Sequence, residues 1–472
     1  MLLPSPVLLD GAGKANCEMT KAKRTEIRTQ EAQGAGVDLP LVKADIQRLS
    51  QVLHDGEWYA AERMRAWRAY QGMPMPTRED EAWRRTDIRA LRWNEVVPDT
   101  LLGNVSRSGS NGRVPARLKK PLVGRKQGGQ VIVANGQIVE RTLDDEAAEQ
   151  GVLFTDFLAA TRTHPEQVAR HVGKLVPSRD GKHAAMAAAL ADQGVFVLVP
   201  AGVVLQRPLH SVLWANGLAQ FSRVVVIVEQ GASLTFVHEL CSRAMKKEQL
   251  HAGTVEVFVG DGAELTFIEL QTLGDNCWHF SHERTRVGAE GNLDWIFGSV
   301  GSKLTKAFLD LNLAGRGARG RMSGFYFTAG NQHLDHDTQQ NHLAEGQTSD
   351  LLFKGALRDQ SRSVWQGMIN VAPGAQKADG FQANRNLLLS SEARADSIPG
   401  LEIQADDVRC THAATVGKLE DEYLFYLMSR GMTYNDARKL IVDGFFDPIM
   451  QRIPFEGVRG RLKDTVIEKM AA

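Results

Sequence analysis

The sequence has few of the features that mark secreted, membrane and nucleic-acid-binding proteins. Only four cysteines occur among 472 residues, at positions 17, 241, 277 and 410. Such scattered thiols predict no disulfide framework and favour a reducing compartment. No run of about 18 apolar residues is present, so we expect no membrane span. Lysine and arginine total 56, as do aspartate and glutamate, and this balance argues against a dedicated nucleic-acid binder.

The sequence also lacks the short motifs of several enzyme classes. No G-x-x-x-x-G-K-[ST] occurs, so we expect no ATP binding through a P-loop. No H-E-x-x-H and no G-x-S-x-G occurs either, and these are the signatures of zinc proteases and serine hydrolases. We therefore expect no self-contained enzyme active site in this chain.

The length of the chain and the changes in its residue pattern along the sequence predict several domains. Residues 1–40 begin with an apolar segment that lacks the basic leader and the length of a secretory signal, and a mixed-charge segment follows. We interpret them as the disordered tail of a cytoplasmic protein. The alternative is a transit peptide, which would place the protein in the plastid stroma. Residues 41–193 predict a helical domain with one β-hairpin, whose turn is Asn135-Gly136.

From Gly194 the sequence changes to short β-branched and aromatic runs that are punctuated by glycine. Three phrases, GASLTFVHEL from Gly231, GAELTFIEL from Gly262 and GNLDWIF from Gly291, recur at an interval of about 30 residues. Such a repeat predicts stacked coils, and therefore a mainly β fold with a parallel β-solenoid over residues 194–412. A β-sandwich is the alternative.

After residue 412 the periodicity is helical again, and residues 413–472 predict a C-terminal helical domain. LEDEYLFYLMSR ends at Gly431, a residue suited to a left-handed C-cap, and Thr433 to Asp436 resemble a capping box. The apolar side chains of this region either pack the small domain or form a partner-binding stripe: Leu424, Leu427, Met428, Leu440 and Ile441.

One cysteine lies two residues from a histidine, at Cys410 and His412. On a strand both side chains point to the same face, roughly 7 Å apart along the chain. A thiolate and an imidazole can bind iron or zinc, but an iron–sulfur cluster usually takes four ligands. The pair therefore predicts half of a site, whose other half is supplied elsewhere.

A second group of potential ligands lies earlier in the sequence, at His333, Asp335, His336, Asp337 and His342. On a strand His333, Asp335 and Asp337 share one face, while His336 lies on the other. Such oxygen and nitrogen donors could bind a divalent metal. The alternative is that they are polar residues of strand edges and solenoid turns, which occur without a metal.

The stretch from Asp335 to about Phe446 closely resembles the SufB/SufD family of iron–sulfur cluster assembly proteins. The phrases that carry the resemblance occur in the family's order: DHDTQQNH, FKGAL, AQKADGFQANRNLLLS, LEIQADDVRCTHAATVG and LEDEYLFYLMSRGM. GVFVLVPAGVVLQRPL from Gly194 is similar to the family's entry into its β-helix, and EAWRRTDI looks more like SufD than SufB. The first 40 residues lie outside the resemblance.

The resemblance implies a central right-handed parallel β-helix between two helical domains, in a non-catalytic scaffold subunit rather than an enzyme. A SufD-like chain would pair with a SufB-like chain through the β-helix, and a transient iron–sulfur cluster would form at their interface. His412 is the stronger implied ligand and Cys410 the second. The C-terminal helices would bind a SufC-like ATPase, so that ATP acts only through that partner. No nucleic acid and no membrane is implied, and a homodimer is a further option.

The resemblance leaves two rivals and one departure. A SufB-like chain would itself accept persulfide sulfur, and a β-solenoid enzyme acting on carbohydrate would need paired carboxylates on one solenoid face. The family usually has glycine directly after the histidine, where this chain has Ala413. If that position requires a positive φ, alanine would be strained there.

Overall fold

The computed structural model describes residues 38–98, 100, 101, 114–120, 122 and 127–471. The predicted tail lies outside these ranges as far as residue 37. Residues 38–40 belong to the folded part, because Leu39 is buried and Asp38 forms an ion pair with Lys182, 2.8 Å from Oδ2 to Nζ. Within the described ranges no helix has the length and hydropathy needed to cross a membrane.

The described N-terminal part consists of short helices and three strands. The helices are α1 (Lys43–Val52), α2 (Glu57–Gln71), α3 (Ala116–Lys119), α4 (Asp145–Glu149), α5 (Phe157–Thr163), α6 (Pro165–His171) and α7 (Lys182–Leu190); the strands are β1 (Gly129–Ala134), β2 (Gln137–Leu143) and β3 (Leu153–Asp156). The predicted hairpin is confirmed, since β1 and β2 are antiparallel and φ is 50° at Asn135 and 77° at Gly136. Two successive positive φ values are those of a type I′ turn.

The central part is a parallel β-solenoid, as the sequence repeat predicts. Its strands are β4 (Gln193–Val199), β5 (Leu209–Trp214), β6 (Ala219–Val228), β7 (Ser233–Cys241), β8 (Gln249–Val259), β9 (Glu264–Thr272), β10 (Cys277–Val287), β11 (Asn292–Ser299), β12 (Leu304–Leu313), β13 (Arg319–Thr328), β14 (His333–His342), β15 (Thr348–Leu357), β16 (Arg362–Val371), β17 (Asp379–Leu388), β18 (Arg394–Ile403) and β19 (Arg409–Lys418). Odd-numbered strands from β5 form sheet A and even-numbered strands from β4 form sheet B. Each strand pairs in parallel with the strand two places later.

The repeated phrases form stacked layers inside the solenoid. Phe236, Phe267 and Trp295 hold the same register position on β7, β9 and β11, and their rings stack at centroid distances of 5.7 and 6.1 Å. Each of these side chains is at most 1 % exposed. Because side chains alternate along a strand, the register identifies the inward-facing positions of every coil.

The two ends of the solenoid differ in their cover. At the N-terminal end, β1 continues sheet A in parallel to β5, β2 pairs with β1, and β3 pairs antiparallel with β4 of sheet B. At the C-terminal end, β18 and β19 are the outermost strands of their sheets. The N-terminal hairpin is therefore part of the solenoid sheet, although the sequence suggests that it belongs to the helical domain.

The last part of the chain folds back along the outer face of sheet A. It comprises α8 (Asp421–Ser429), α9 (Tyr434–Met450) and α10 (Glu456–Ala471). Gly431 has a φ of 94°, and the Thr433 Oγ1 accepts from the backbone N–H of Asp436 at 3.2 Å, so the left-handed C-cap and the N-cap are confirmed. The Asp436 carboxylate accepts from the Thr433 hydroxyl and not from its backbone N–H, so the cap is not a full capping box. Phe446 of α9 packs against Phe325 of β13, with ring centroids 6.1 Å apart.

The β region extends past the expected boundary at residue 412. The whole segment from Arg409 to Lys418 is paired in register with β17, and helix begins only at Asp421. His412 therefore lies within a strand and not at a strand–helix junction. This position decides which way its side chain points.

Candidate functional site

The last coil of the solenoid is uncovered in the described chain. Leu401 and Ile403 follow the buried Ile369 and Val371 in register, so they face the solenoid interior, yet they are 37 and 41 % exposed. Val416 likewise follows the buried Asn386 and is 46 % exposed. We call the surface formed by the inward-facing side chains of this coil the open end: Leu401, Ile403, Cys410, His412 and Val416.

Cys410 and His412 lie side by side on the open end, as the strand spacing predicts. Cys410 follows Gly380 in register and is half-buried, whereas His412 follows Gln382 and is exposed. Burial raises the pKa of the Cys410 thiol. Within the described residues the imidazole of His412 forms no recorded hydrogen bond or ion pair, so both of its nitrogens can reach a ligand.

The residue after His412 introduces no strain. Ala413 lies in the regular part of β19, pairs with Ala383 of β17, and is not among the residues with positive φ. The condition under which alanine would be strained is therefore not met. Cys410 and His412 therefore keep the regular spacing of alternate residues on a strand.

The donors on the open end suit an iron–sulfur cluster but do not complete its coordination. A cysteine, after loss of its proton, and a histidine imidazole can both bind the iron of such clusters, which take four ligands in total. Among the described residues, no three histidine, cysteine or carboxylate side chains converge as a metal site. We call the two donors on the open end, Cys410 and His412, the half-site, because they could supply at most two of the four ligands that such a cluster takes.

The second predicted group of ligands is divided among separate environments. Asp335 is fully buried and forms an ion pair with Lys306, 3.0 Å from Oδ1 to Nζ. The hydroxyl of Thr86 contacts the same carboxylate and lies 2.9 Å from the His333 Nε2. Burial lowers the pKa of His333 to about 4, so this ring is neutral at pH 7. These side chains thus fulfil each other's hydrogen-bonding and charge requirements beneath the N-terminal part.

The other two histidines of that group face the solenoid interior. His336 stacks on Tyr326 at a centroid distance of 5.3 Å and lies against the edge of Phe297. His342 contacts the hydroxyl of Ser349, 2.8 Å from its Nε2. The structure thus does not bring His333, Asp335, His336 and His342 together as one set of ligands.

The C-terminal helices expose apolar side chains, but mostly not those that the sequence suggests. Leu424 is only 5 % exposed and belongs to the packing of α8 against α9, and Leu427 and Ile441 are half-buried. Met428 and Leu440 are exposed, as a partner-binding role requires. Other large side chains on the same two helices are also exposed, and we call the whole set the aromatic patch: Tyr423, Phe425, Tyr426, Met428, Tyr434 and Leu440.

Phe425 is the most exposed large apolar side chain of the described residues, at 74 %. The stripe predicted from the sequence on α8 comprises Leu424, Leu427 and Met428, of which Leu424 is buried, Leu427 is half-buried and Met428 is exposed. The signal that could have found Phe425 is composition: a helix of nine residues with aromatic side chains on the face opposite its packed stripe has two apolar faces. One face packs within the chain and the other is exposed.

A pair of carboxylates does exist, but it lies inside the solenoid. Glu269 faces inward from β9 and Glu283 from β10, and both are buried. Burial raises the pKa of Glu283 to about 7, and burial and the neighbouring Glu283 raise that of Glu269. No polysaccharide can reach this position, so the pair does not support the carbohydrate-active rival.

Comparisons with known proteins agree with the resemblance. A family model described as SUF system FeS cluster assembly, SufBD core domain, matches residues 212–445, and one described as SufBD protein N-terminal region matches residues 118–210. Together these matches include the solenoid, Cys410 and His412, and all residues of the aromatic patch.

The chain is also similar to curated proteins over most of its length. A protein named iron–sulfur cluster assembly SufBD family protein from Staphylococcus haemolyticus is 28 % identical over 424 residues, which are 87 % of this chain and 89 % of that protein. The Staphylococcus saprophyticus protein of the same description is 28 % identical over 425 residues, with the same shares. The Staphylococcus aureus (strain USA300) protein is 27 % identical over 424 residues, again with 87 and 89 % covered.

Proposed function

Because this chain belongs to the SufB/SufD family of iron–sulfur cluster assembly proteins, we propose that it is a SufD-like scaffold subunit of a SUF assembly complex. It pairs with a SufB-like chain, and a nascent iron–sulfur cluster is built as cargo where the two chains meet. A separate SufC-like ATPase supplies the ATP hydrolysis, and the scaffold itself catalyses no reaction. The observation that carries this proposal is the half-site on the open end.

The open end supports pairing with another chain. On their outer side, β18 and β19 have no strand partner in the described chain, so a row of backbone N–H and C=O groups is available there. Leu401, Ile403 and Val416 add apolar area that a partner would remove from water. A second solenoid placed against this end would cover both features and could supply the ligands that Cys410 and His412 lack.

The described cysteines favour a SufD-like over a SufB-like role. A cysteine that accepts sulfur needs an accessible thiolate. Burial raises the pKa of Cys410, and it raises those of Cys241 and Cys277 even further. All three thiols are therefore protonated near neutral pH. In this assignment the SufB-like partner provides the thiolate that receives sulfur.

The aromatic patch supports docking of the ATPase. It exposes six large apolar side chains within the short span of α8 and the start of α9. Exposed apolar patches often mark interaction sites, and aromatic anchors dominate the binding energy of such sites, so this concentration of exposed side chains supports a docking role. The patch lies on the helices that follow the open end in the chain, so ATP-driven movement of the partner is transmitted through β19.

The substitution His412→Ala tests the half-site. We expect the reconstituted complex to form at most about one tenth of the usual amount of cluster. Loss of even an outer-shell group commonly lowers the metal affinity of a site by about tenfold or more. The iron and sulfide content of the purified complex measures the effect. Thr411→Ala is the matched control, since Thr411 is also exposed but points to the opposite face of β19. Normal cluster yield from an intact His412→Ala complex would contradict the ligand role.

The substitution Phe425→Ala tests the docking surface. Removing an anchor of this size is expected to weaken the ATPase complex by about 2 kcal/mol, or about 30-fold in Kd. Calorimetric titration of the chain with the ATPase measures this change. Phe381→Ala, which truncates an exposed phenylalanine on the outer face of β17, is the control and should leave the affinity unchanged. Equal affinities for both variants would rule out the patch as the docking site.

A further inference from the structure

The two outermost strands of the open end differ in the backbone groups that they expose. At the start of β19 the N–H of Arg409 donates to the carbonyl of Ala378 at 2.8 Å, and just after its end the N–H of Leu419 donates to the carbonyl of Leu388 at 3.0 Å. β19 pairs with β17 without a register shift, and successive residues of a strand turn their backbone groups to opposite sides. The odd-numbered residues of β19 therefore bond to β17, and the even-numbered residues direct their N–H and C=O groups away from it.

On β18 the row of outward backbone groups is broken by a proline. The N–H of Arg394 donates to the carbonyl of Ser361 at 3.0 Å, and that of Gln404 donates to the carbonyl of Val371 at 2.9 Å. Because β18 pairs with β16 without a register shift, its even-numbered residues bond to β16 and its odd-numbered residues face the free edge. Pro399 is the middle one of these odd-numbered residues and has no N–H. The free edge of β18 thus lacks a donor at its centre.

On β19 the outward row is unbroken. Each member keeps its N–H, because none is proline, and none is buried: Cys410, His412, Ala414, Val416 and Lys418. Natural proteins commonly blunt a free strand edge with proline, which hinders pairing with another chain. β18 has this protection, whereas β19 lacks it, although each is the outermost strand of its sheet among the described residues. This difference indicates that the edge of β19 accepts a strand from outside.

The unbroken edge belongs to the same residues as the half-site. Cys410 and His412 are the first two of the outward positions of β19. A strand added there would bond to the main chain of both residues, on the side that β17 does not reach. Neighbouring strands lie about 4.8 Å apart, so side chains of the added strand would lie beside the thiol and the imidazole. Such a strand could supply ligands that the half-site lacks.

We propose that the SufB-like partner adds an extended strand along the whole of β19, so that sheet A continues into the partner, whereas Pro399 interrupts main-chain pairing in sheet B. The inference rests on the proposed function, and adds which of the two edges carries the pairing. Strand addition of this kind takes its affinity from main-chain hydrogen bonds. The half-site residues are then held by strands on both sides only in the complex.

Hydrogen exchange resolved to single amides tests the proposal. In the isolated full-length chain the amides of His412, Ala414 and Val416 should exchange at least about tenfold faster than those of Thr411 and Ala413, which bond to β17. In the complex with the SufB-like chain the three fast amides should slow to the rates of their neighbours. The odd-numbered amides of β18 that flank Pro399 should gain less protection.

Proline substitutions test the same difference by affinity. Ala414→Pro removes an outward donor of β19, so an acceptor of the added strand loses its hydrogen bond, and the Kd for the SufB-like chain should rise on the order of tenfold. Ala395→Pro is the matched control, because it alters an outward position of β18, whose edge is already interrupted, and should change the Kd by less than about twofold. Ala413→Pro removes a donor to β17 and should lower the stability of the isolated chain instead.

The outcomes separate the pairing from the proposed function. Equal affinities of the Ala414→Pro and Ala395→Pro variants would overturn the pairing, as would unprotected β19 amides in a complex that assembles clusters normally; the proposed function would then stand. Protected β19 amides in a complex that assembles no cluster would support the pairing and contradict the proposed function. Protection of these amides in the concentrated chain alone would identify a second copy as the occupant, and would overturn the assignment to the SufB-like partner.

Discussion

Two regions of the protein carry histidines beside other potential ligands, and they differ in what surrounds them. In the first, the carboxylate of Asp335 is paired with Lys306, and His333 is hydrogen-bonded beneath the N-terminal part. In the second, Cys410 and His412 lie on the last coil, which no other coil covers among the described residues. The charged and polar groups of the first region form ion pairs and hydrogen bonds within the chain. The donor atoms of the second region remain open to a ligand from outside.

This difference shows why a dense set of ligand-type residues is a poor guide to a site. A buried carboxylate must be paired, and once Lys306 has neutralised Asp335 little attraction is left for a cation. A pair of donors at an uncovered strand edge has no such partner and stays available. Substitutions should therefore affect stability in the first region and assembly in the second.

The largest effect on stability is expected from Lys306→Ala. Both members of the Lys306–Asp335 pair are fully buried, so the substitution leaves an uncompensated charge that costs about 3–5 kcal/mol. Denaturant-induced unfolding measures the loss. The exposed Lys463 of α10 is the control, and Lys463→Ala should change the free energy of unfolding by less than about 0.5 kcal/mol.

The double variant Lys306→Met with Asp335→Leu sharpens this expectation. Replacing both charges by apolar side chains removes the unpaired carboxylate, so most of the lost stability should return. If the double variant were as unstable as Lys306→Ala, the two charged side chains would stabilise the fold through contacts other than their mutual ion pair. The first region would then not be explained by ion pairing alone.

At the open end, Val416→Asp should impair assembly and spare the fold. The side chain is 46 % exposed in the single chain but would be covered in the complex, so an added carboxylate is expected to weaken pairing by about 2 kcal/mol, or about 30-fold. Sedimentation with the SufB-like chain measures the affinity. Val139→Asp is the matched control, because Val139 is 43 % exposed on β2 at the opposite end of sheet A. Equal pairing by both variants would show that the open end is not the interface.

The architecture was predictable because it depends on local patterns. Alternating side chains, a repeat of about 30 residues and the Asn135-Gly136 turn each act over a few residues, and the strands and the hairpin follow from them. The end of the solenoid was less predictable. The segment from Thr411 to Gly417 consists mostly of small residues, and none of them is buried. Its sequence therefore lacks the alternation of apolar and polar residues that marks a strand.

The pair at Cys410 and His412 was predictable from its spacing, but its surroundings were not. The thiol lies against Gly380 only because successive coils place Ser349, Gly380 and Cys410 in one column. That relation depends on register between segments far apart in the sequence, and a single chain carries no direct signal of it.

The smallest expected effect concerns the buried pair Glu269 and Glu283. Here a proton balances the charge of the carboxylates, as Lys306 does for Asp335. Burial raises the pKa of Glu283 to about 7, so its contribution to stability is complete below about pH 4.5 and is lost as the pH rises through about 7. Glu283→Gln cannot ionise, so its free energy of unfolding should fall less between about pH 5 and about pH 8. Denaturation at several pH values measures the slopes. Glu264→Gln alters an exposed carboxyl group on β9 and should keep the wild-type slope. If Glu283→Gln kept that slope as well, the proton would not be shared inside the solenoid, and the pair would need another source of charge balance.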